Sequence, residues 1–131
     1  MRPFIAAILA LAVATAAAAG QPVPRGSQGY WVPANSSCKS ELGIRVTGSS
    51  VEFVNRQQRK LFNTEACFSC EGGAQYSGVV IWVAPRSADN KAFTLYLNAD
   101  EQEGVARIDL ESAPLRSAFP LHDVALKRCE N

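Results

Sequence analysis

Histidine is nearly absent: among 131 residues only His122 carries an imidazole. A zinc site built from paired cysteines and spaced histidines therefore has too few ligands. A Ser-His-Asp arrangement has a single candidate base. The adjacent Asp123 cannot orient it, because neighbouring residues on a strand face opposite ways. No spacing brings Ser87 or Ser117 to His122, which reads as a surface residue at the start of a strand. Phosphate loop, dinucleotide fingerprint and nucleophile elbow are all missing. Glu65 and Glu71 are the one carboxylate pair to consider, and such pairs signal chemistry only when geometry and pKa cooperate. The sequence calls for no catalytic residue, no metal and no cofactor, and reads as a non-enzyme.

Excess charge is missing too. Residues 1–19 have a basic lead (Arg2), an apolar run over 4–13 and a small-residue stretch ending Ala17-Ala18-Ala19. This is the pattern of an export signal cleaved before Gly20, and its apolar run is too short to span a bilayer. No cysteine stands at the cleavage point for lipid attachment. The alanine-rich leader points to a bacterial periplasmic or secreted protein with no membrane span after cleavage. Removing Arg2 with the leader brings the 13 basic residues down to match the 12 acidic ones, a formal charge of zero. Nucleic acid is thereby excluded as a partner, since phosphate binding needs concentrated Lys and Arg. The one basic group, Arg56, Arg59 and Lys60, reads as a solvated turn.

Helical windows are lacking throughout the mature chain. Residues 20–29 hold Pro22, Pro24, Gly26 and Gly29 and read as a flexible lead-in to a single domain over 30–131. The remainder alternates with period two. Tyr30-Trp31-Val32 is a first strand stopped by Pro33, followed by Ile44/Val46 and Val51/Phe53. A polar turn over 55–60 leads to Leu61-Phe62. A long strand over 75–84, ended by Pro85, comes after the diglycine. Phe93/Leu95/Leu97, Ala106/Ile108/Leu110 and Val124/Leu126 complete the series. Residues 112–121 have room for one helical turn between Pro114 and Pro120. About eight strands at this spacing predict an all-β domain, a small antiparallel up-and-down barrel or a sandwich. A barrel leaves no open edges.

Four cysteines are present, all in the mature part: Cys38, Cys67, Cys70 and Cys129. An even number in an oxidising compartment reads as two disulfides. In a closed barrel the first and last strands are neighbours, so Cys38–Cys129 would tie the closure and Cys67–Cys70 would pair locally across a tight turn. If 67–70 stays extended, those two cysteines would instead bond to Cys38 and Cys129; the first pairing is preferred. Cys67-x-x-Cys70 as a redox dithiol needs a following helix N-terminus to lower a thiol pKa. Glu71-Gly72-Gly73 follows instead, so the pair reads as a staple.

What stands out positively is the stretch over 67–83, with a diglycine loop, Tyr76 and the apolar run carrying Trp82. With Val79, Ile81 and Val83 inward, Val80 and Trp82 face out, and Tyr96 becomes a diagonal neighbour of Trp82. That pair is either an exposed recognition patch or a cover for the barrel seam or the 111–120 connection. Gly72-Gly73-Ala74-Gln75-Tyr76-Ser77-Gly78, leading into Val80-Ile81-Trp82, resembles a motif of the periplasmic inhibitors of C-type lysozyme. Gly72 stands where that family has a serine, Gln75 replaces its basic residue, and Pro85-Arg86 occupies the region of its Lys-Gly turn. The resemblance implies a small exported barrel whose loop enters a partner's cleft. The binding residues expected on both grounds are Glu71, Gly72, Gly73, Gln75, Tyr76, Trp82, Arg86 and Tyr96. The expected partner is another protein in the periplasm or outside the cell. Two alternatives are a redox protein using the Cys67/Cys70 pair and a carrier of a small apolar ligand inside the barrel. A core filled by Phe53, Ile81, Leu95 and Ile108 would rule out the carrier.

Overall fold

The computed structural model describes residues 20–87 and 91–130. The leader, and the middle of the loop expected over 86–91, lie outside the described residues. Eight antiparallel strands close in sequence order into a barrel. They are β1 (Gly29–Pro33), β2 (Leu42–Val46), β3 (Ser50–Asn55), β4 (Gln58–Cys67), β5 (Ile81–Pro85), β6 (Phe93–Leu97), β7 (Val105–Leu110) and β8 (Leu126–Cys129). A six-residue helix, α1 (Ala113–Ala118), lies between β7 and β8, where one helical turn is expected. Ser112 caps it by accepting the Leu115 N–H, and Pro114 sits in its first turn, where a missing N–H costs nothing.

Alternation sends one side of each strand inward. Phe93, Leu95 and Leu97 of β6 and Ala106, Ile108 and Leu110 of β7 are buried. Phe53, Ile81, Leu95 and Ile108 all belong to the packed core. That filling takes away the interior cavity on which the apolar-carrier alternative depends. At one end of the barrel, the end reached by the 56–57 turn, Phe53 packs edge-on against Phe93 at 5.0 Å and tilted against Phe119 at 5.5 Å. Each such pair adds about 0.5–1.5 kcal/mol beyond its burial. α1 and the segment after it close this end, with Leu115, Phe119 and Leu121 buried and Asn55 Nδ2 donating to Ala118 O.

The other end is closed by the segment read as a flexible lead-in, and that reading is corrected. Gln21 exchanges backbone hydrogen bonds with Ala66, and the Val23 N–H donates to Gly48 O at 2.9 Å. Val23 itself is buried in the core, and Trp31 Nε1 donates to Ser27 O. The prolines and glycines here shape a cap instead of loosening the chain.

Two strand boundaries also differ from expectation. The turn expected over 55–60 shrinks to Arg56 and Gln57, because Gln58–Lys60 ladder onto Asn55–Phe53. These polar residues sit on the barrel rim, where a strand need not be apolar. The long strand expected over 75–84 begins only at Ile81. Gly73–Gln75 form a single 3-10 turn, with Gly73 at φ +71°, and the chain stays out of the ladder through Val80. Consequently Val79 is exposed and Val80 buried, the reverse of the expected facing.

Closure matches the preferred cysteine pairing. β1 pairs with β8 over four residue pairs, including Tyr30 opposite Cys129. The β1–β2 connection folds back over the outer face, with Tyr30 OH donating to Ser40 O, and brings Cys38 to Cys129. Cys67 and Cys70 are bonded across the turn after β4.

Candidate functional site

Register across four strands builds the site. Cys67 stands opposite Trp82, Trp82 opposite Tyr96, and Tyr96 opposite Arg107, so all four share the outer face. Trp82 and Tyr96 are direct partners where diagonal neighbours were expected. Their rings meet edge to face at 5.5 Å and 88°, and both remain half-exposed. α1 lies at the far end of the barrel, so the 111–120 connection does not cover them.

A cleft of about 600 Å³ opens over this row. Its existence follows from a short seam. β7 and β8 share only the pairs Val105–Lys127 and Ala106–Leu126. Beyond them the 121–123 segment takes over hydrogen bonding to β7: the Asp123 N–H donates to Ile108 O and the Leu110 N–H donates to His122 Nδ1 at 3.0 Å. His122 and Asp123 thereby stand at the cleft wall. Since Nδ1 accepts a hydrogen bond, the neutral ring carries its hydrogen on Nε2. Asp109 Oδ1 is 3.7 Å from that same Nδ1, too far for a hydrogen bond.

Glu71 enters the cleft from the opposite side. The Cys67–Cys70 bridge turns the chain after β4, and Glu71 Oε2 accepts the Trp82 indole N–H at 2.7 Å. This fixes the tryptophan rotamer. On the far wall Arg107 is held between two carboxylates, Asp100 at 3.4 Å and Asp123 at 3.6 Å, and its Nη1 also donates to Asp123 O at 2.9 Å. Asp100 and Asp123 both have left-handed backbone (φ +56° and +55°), a conformation Asp tolerates better than most residues and that is concentrated at functional sites. Partial burial, then the Asp109 and Glu71 carboxylates, push the Tyr96 phenol above its usual range. It stays a hydrogen-bond donor at any ordinary pH.

Of the residues expected from the sequence, Glu71, Trp82 and Tyr96 are brought together here. Gly72, Gly73 and Gln75 form the exposed loop at the rim. Tyr76 turns back toward the barrel: its hydroxyl donates to Glu101 Oε1 at 2.6 Å and accepts the Val80 N–H at 2.8 Å. Arg86 follows the other end of β5, where its backbone N–H donates to Asn63 O and its Nε donates to Thr64 O. The structure does not bring it to the loop. Glu65 stands opposite Ala84 and lines a neighbouring groove beside Trp82, so Glu65 and Glu71 are not a facing pair. Asp100, Arg107 and Asp109 were not anticipated, and His122 and Asp123, weighed only as an acid–base pair, were set aside. The register of the β6–β7 hairpin, which sets Arg107 opposite Tyr96 and Asp109 opposite Thr94, is the signal that could have found two of them.

The basic group Arg56, Arg59 and Lys60 lies far from this cleft. Arg56 pairs with Glu41 and Arg59 with Glu52 on the exposed surface. Compared with known proteins, the chain matches no family model, no curated protein and no solved structure.

Proposed function

We propose that this is an exported, non-enzymatic binding protein that engages another protein through the Trp82–Tyr96 face and the 72–75 loop at its rim, and that the partner is a cell-wall hydrolase whose activity it restrains. The observation carrying this reading is the cleft itself: two half-exposed aromatic rings in fixed edge-to-face contact, one locked by Glu71, over a concave floor. Pre-set aromatic anchors bind with little loss of side-chain freedom and dominate protein interfaces. Two disulfides fit an oxidising compartment, in keeping with the leader read from residues 1–19. The resemblance of the 72–78 loop to the lysozyme-inhibitor motif supplies the hydrolase as the partner class. The Cys67–Cys70 bridge serves this site as a staple for the loop, which is a different use from redox chemistry.

The test is binding and inhibition across a panel of secreted cell-wall hydrolases, lysozymes included. At least one should bind, and Trp82→Ala combined with Tyr96→Ala should weaken it by about a hundred-fold or more, as loss of a two-residue hot spot does. A partner held equally well by the double variant would place the interface elsewhere.

A further inference from the structure

The charge around the aromatic pair is lopsided. Arg107 is already occupied by Asp100 and Asp123 on the far wall. Glu71 and Asp109 flank the aromatic side, and among the described residues neither has a Lys or Arg within salt-bridge distance. Glu71 accepts one hydrogen bond, from the Trp82 indole, with its Oε2, and the His122 Nδ1 that lies 3.7 Å from Asp109 accepts the Leu110 N–H. Besides the Arg107 cluster, the cleft thus has aromatic rings, a phenol donor and two carboxylates that, among the described residues, have no Lys or Arg partner, in a protein that is otherwise close to neutral.

Resting on the binding reading above, we propose that the cleft receives an arginine side chain from the partner protein. Its guanidinium would lie against the Trp82–Tyr96 rings and be shared by Glu71 and Asp109. A guanidinium suits this surface better than an ammonium. It is planar, weakly hydrated, stacks on aromatic faces and pairs with carboxylates through two parallel donors. Charge complementarity selects a cation. A macromolecular source is favoured over a small one because apolar surface continues past the cleft. Trp82 is also one wall of the neighbouring groove, which holds the exposed Phe68, and Val79 is exposed beside the loop.

A fluorescent arginine-bearing peptide, its citrulline and lysine counterparts and a glucosamine oligomer provide the probes, with anisotropy as the readout at low and high salt. The arginine peptide should bind, the isosteric but neutral citrulline peptide should not, and salt should weaken the complex. Glu71→Gln, which keeps an acceptor for the Trp82 indole, and Asp109→Asn should each weaken binding by about two- to five-fold, the range for a partly exposed ion pair. Arg107→Gln should tighten it, because Asp100 and Asp123 are then freed; a residue that merely shaped the cleft would move affinity the other way. Thermal melts of each variant separate folding defects from binding, and Asp109→Asn alone suffices if Arg107→Gln is unstable. Equal binding of the citrulline peptide, or no response to the carboxylate variants, overturns the proposal. So does charge-dependent binding of the glucosamine oligomer in place of the peptide. If the Trp82/Tyr96 double variant abolishes hydrolase binding while the carboxylate variants leave it unchanged, the binding reading stands and the arginine assignment falls.

Discussion

Tyr76 and Glu101 form a latch that holds the loop above the cleft. Glu101 Oε1 accepts from the Tyr76 hydroxyl and Oε2 accepts from the Val79 N–H at 3.0 Å. Gly78 lies between them, where any Cβ would collide with the Tyr76 hydroxyl and the Glu101 carboxylate. The Tyr76 bond first, and the Val79 N–H second, hold the Glu101 carboxyl below the usual glutamate range. A lowered folded-state pKa means the latch is fully present above the ordinary glutamate value and is lost as pH falls through the lower, folded one. The Val79 amide proton should therefore shift in NMR spectra as pH drops below the ordinary glutamate range, and Glu101→Gln should remove that titration. A Val79 resonance unmoved by acid in the parent protein would mean that the latch is not formed. Legibility at this scale was uneven. Trp82 and Tyr96 were visible because alternation put both on the outer faces of neighbouring strands. The role of Tyr76 was not, because its partner Glu101 lies two strands later in a turn, in a left-handed conformation that Glu seldom adopts. Arg86 was included because Pro85-Arg86 occupies the region of the inhibitor family's Lys-Gly turn, whereas β5 carries its two ends to opposite rims and leaves Arg86 on the one away from the loop.

The strands were legible as elements because each buries one face, and a one-residue slip would expose the whole set. Their ends were less so. Rim positions such as Gln58–Lys60 carry no burial signal, and Val79-Val80 continues the apolar run of β5 without joining the ladder. The N-terminal segment shows the same limit from the other side. Its prolines and glycines mark irregular backbone, and irregular backbone is not loose when a buried side chain anchors it. Val23 is that anchor. Val23→Ala should cost about 1–3 kcal/mol in urea unfolding, from lost burial plus the void left behind. A flexible lead-in would give no measurable change, so the size of this one effect decides between the two descriptions.

For the molecule as a whole, closure depends on a single seam pairing the first strand with the last. Every other neighbouring pair of strands is adjacent in sequence, whereas β1 and β8 meet across nearly the full domain. The β7–β8 side of the same last strand is short, which opens the cleft but also leaves β8 dependent on β1 and on Cys129. The two disulfides should therefore differ sharply in weight. Cys38–Cys129 closes a loop with a sequence separation of 91, and Cys67–Cys70 one of 3. Loop entropy alone gives up to about 5 kcal/mol for the first and about 2 kcal/mol for the second. Replacing Cys38 and Cys129 by serine should lower the urea midpoint much more than replacing Cys67 and Cys70. The latter pair should instead loosen Glu71 from Trp82, raise protease sensitivity in the 68–79 loop and weaken hydrolase binding while most of the global stability remains. Equal stability losses for the two pairs, with binding unaffected by the second, would mean that the local bridge belongs to the barrel and has no part in shaping the cleft.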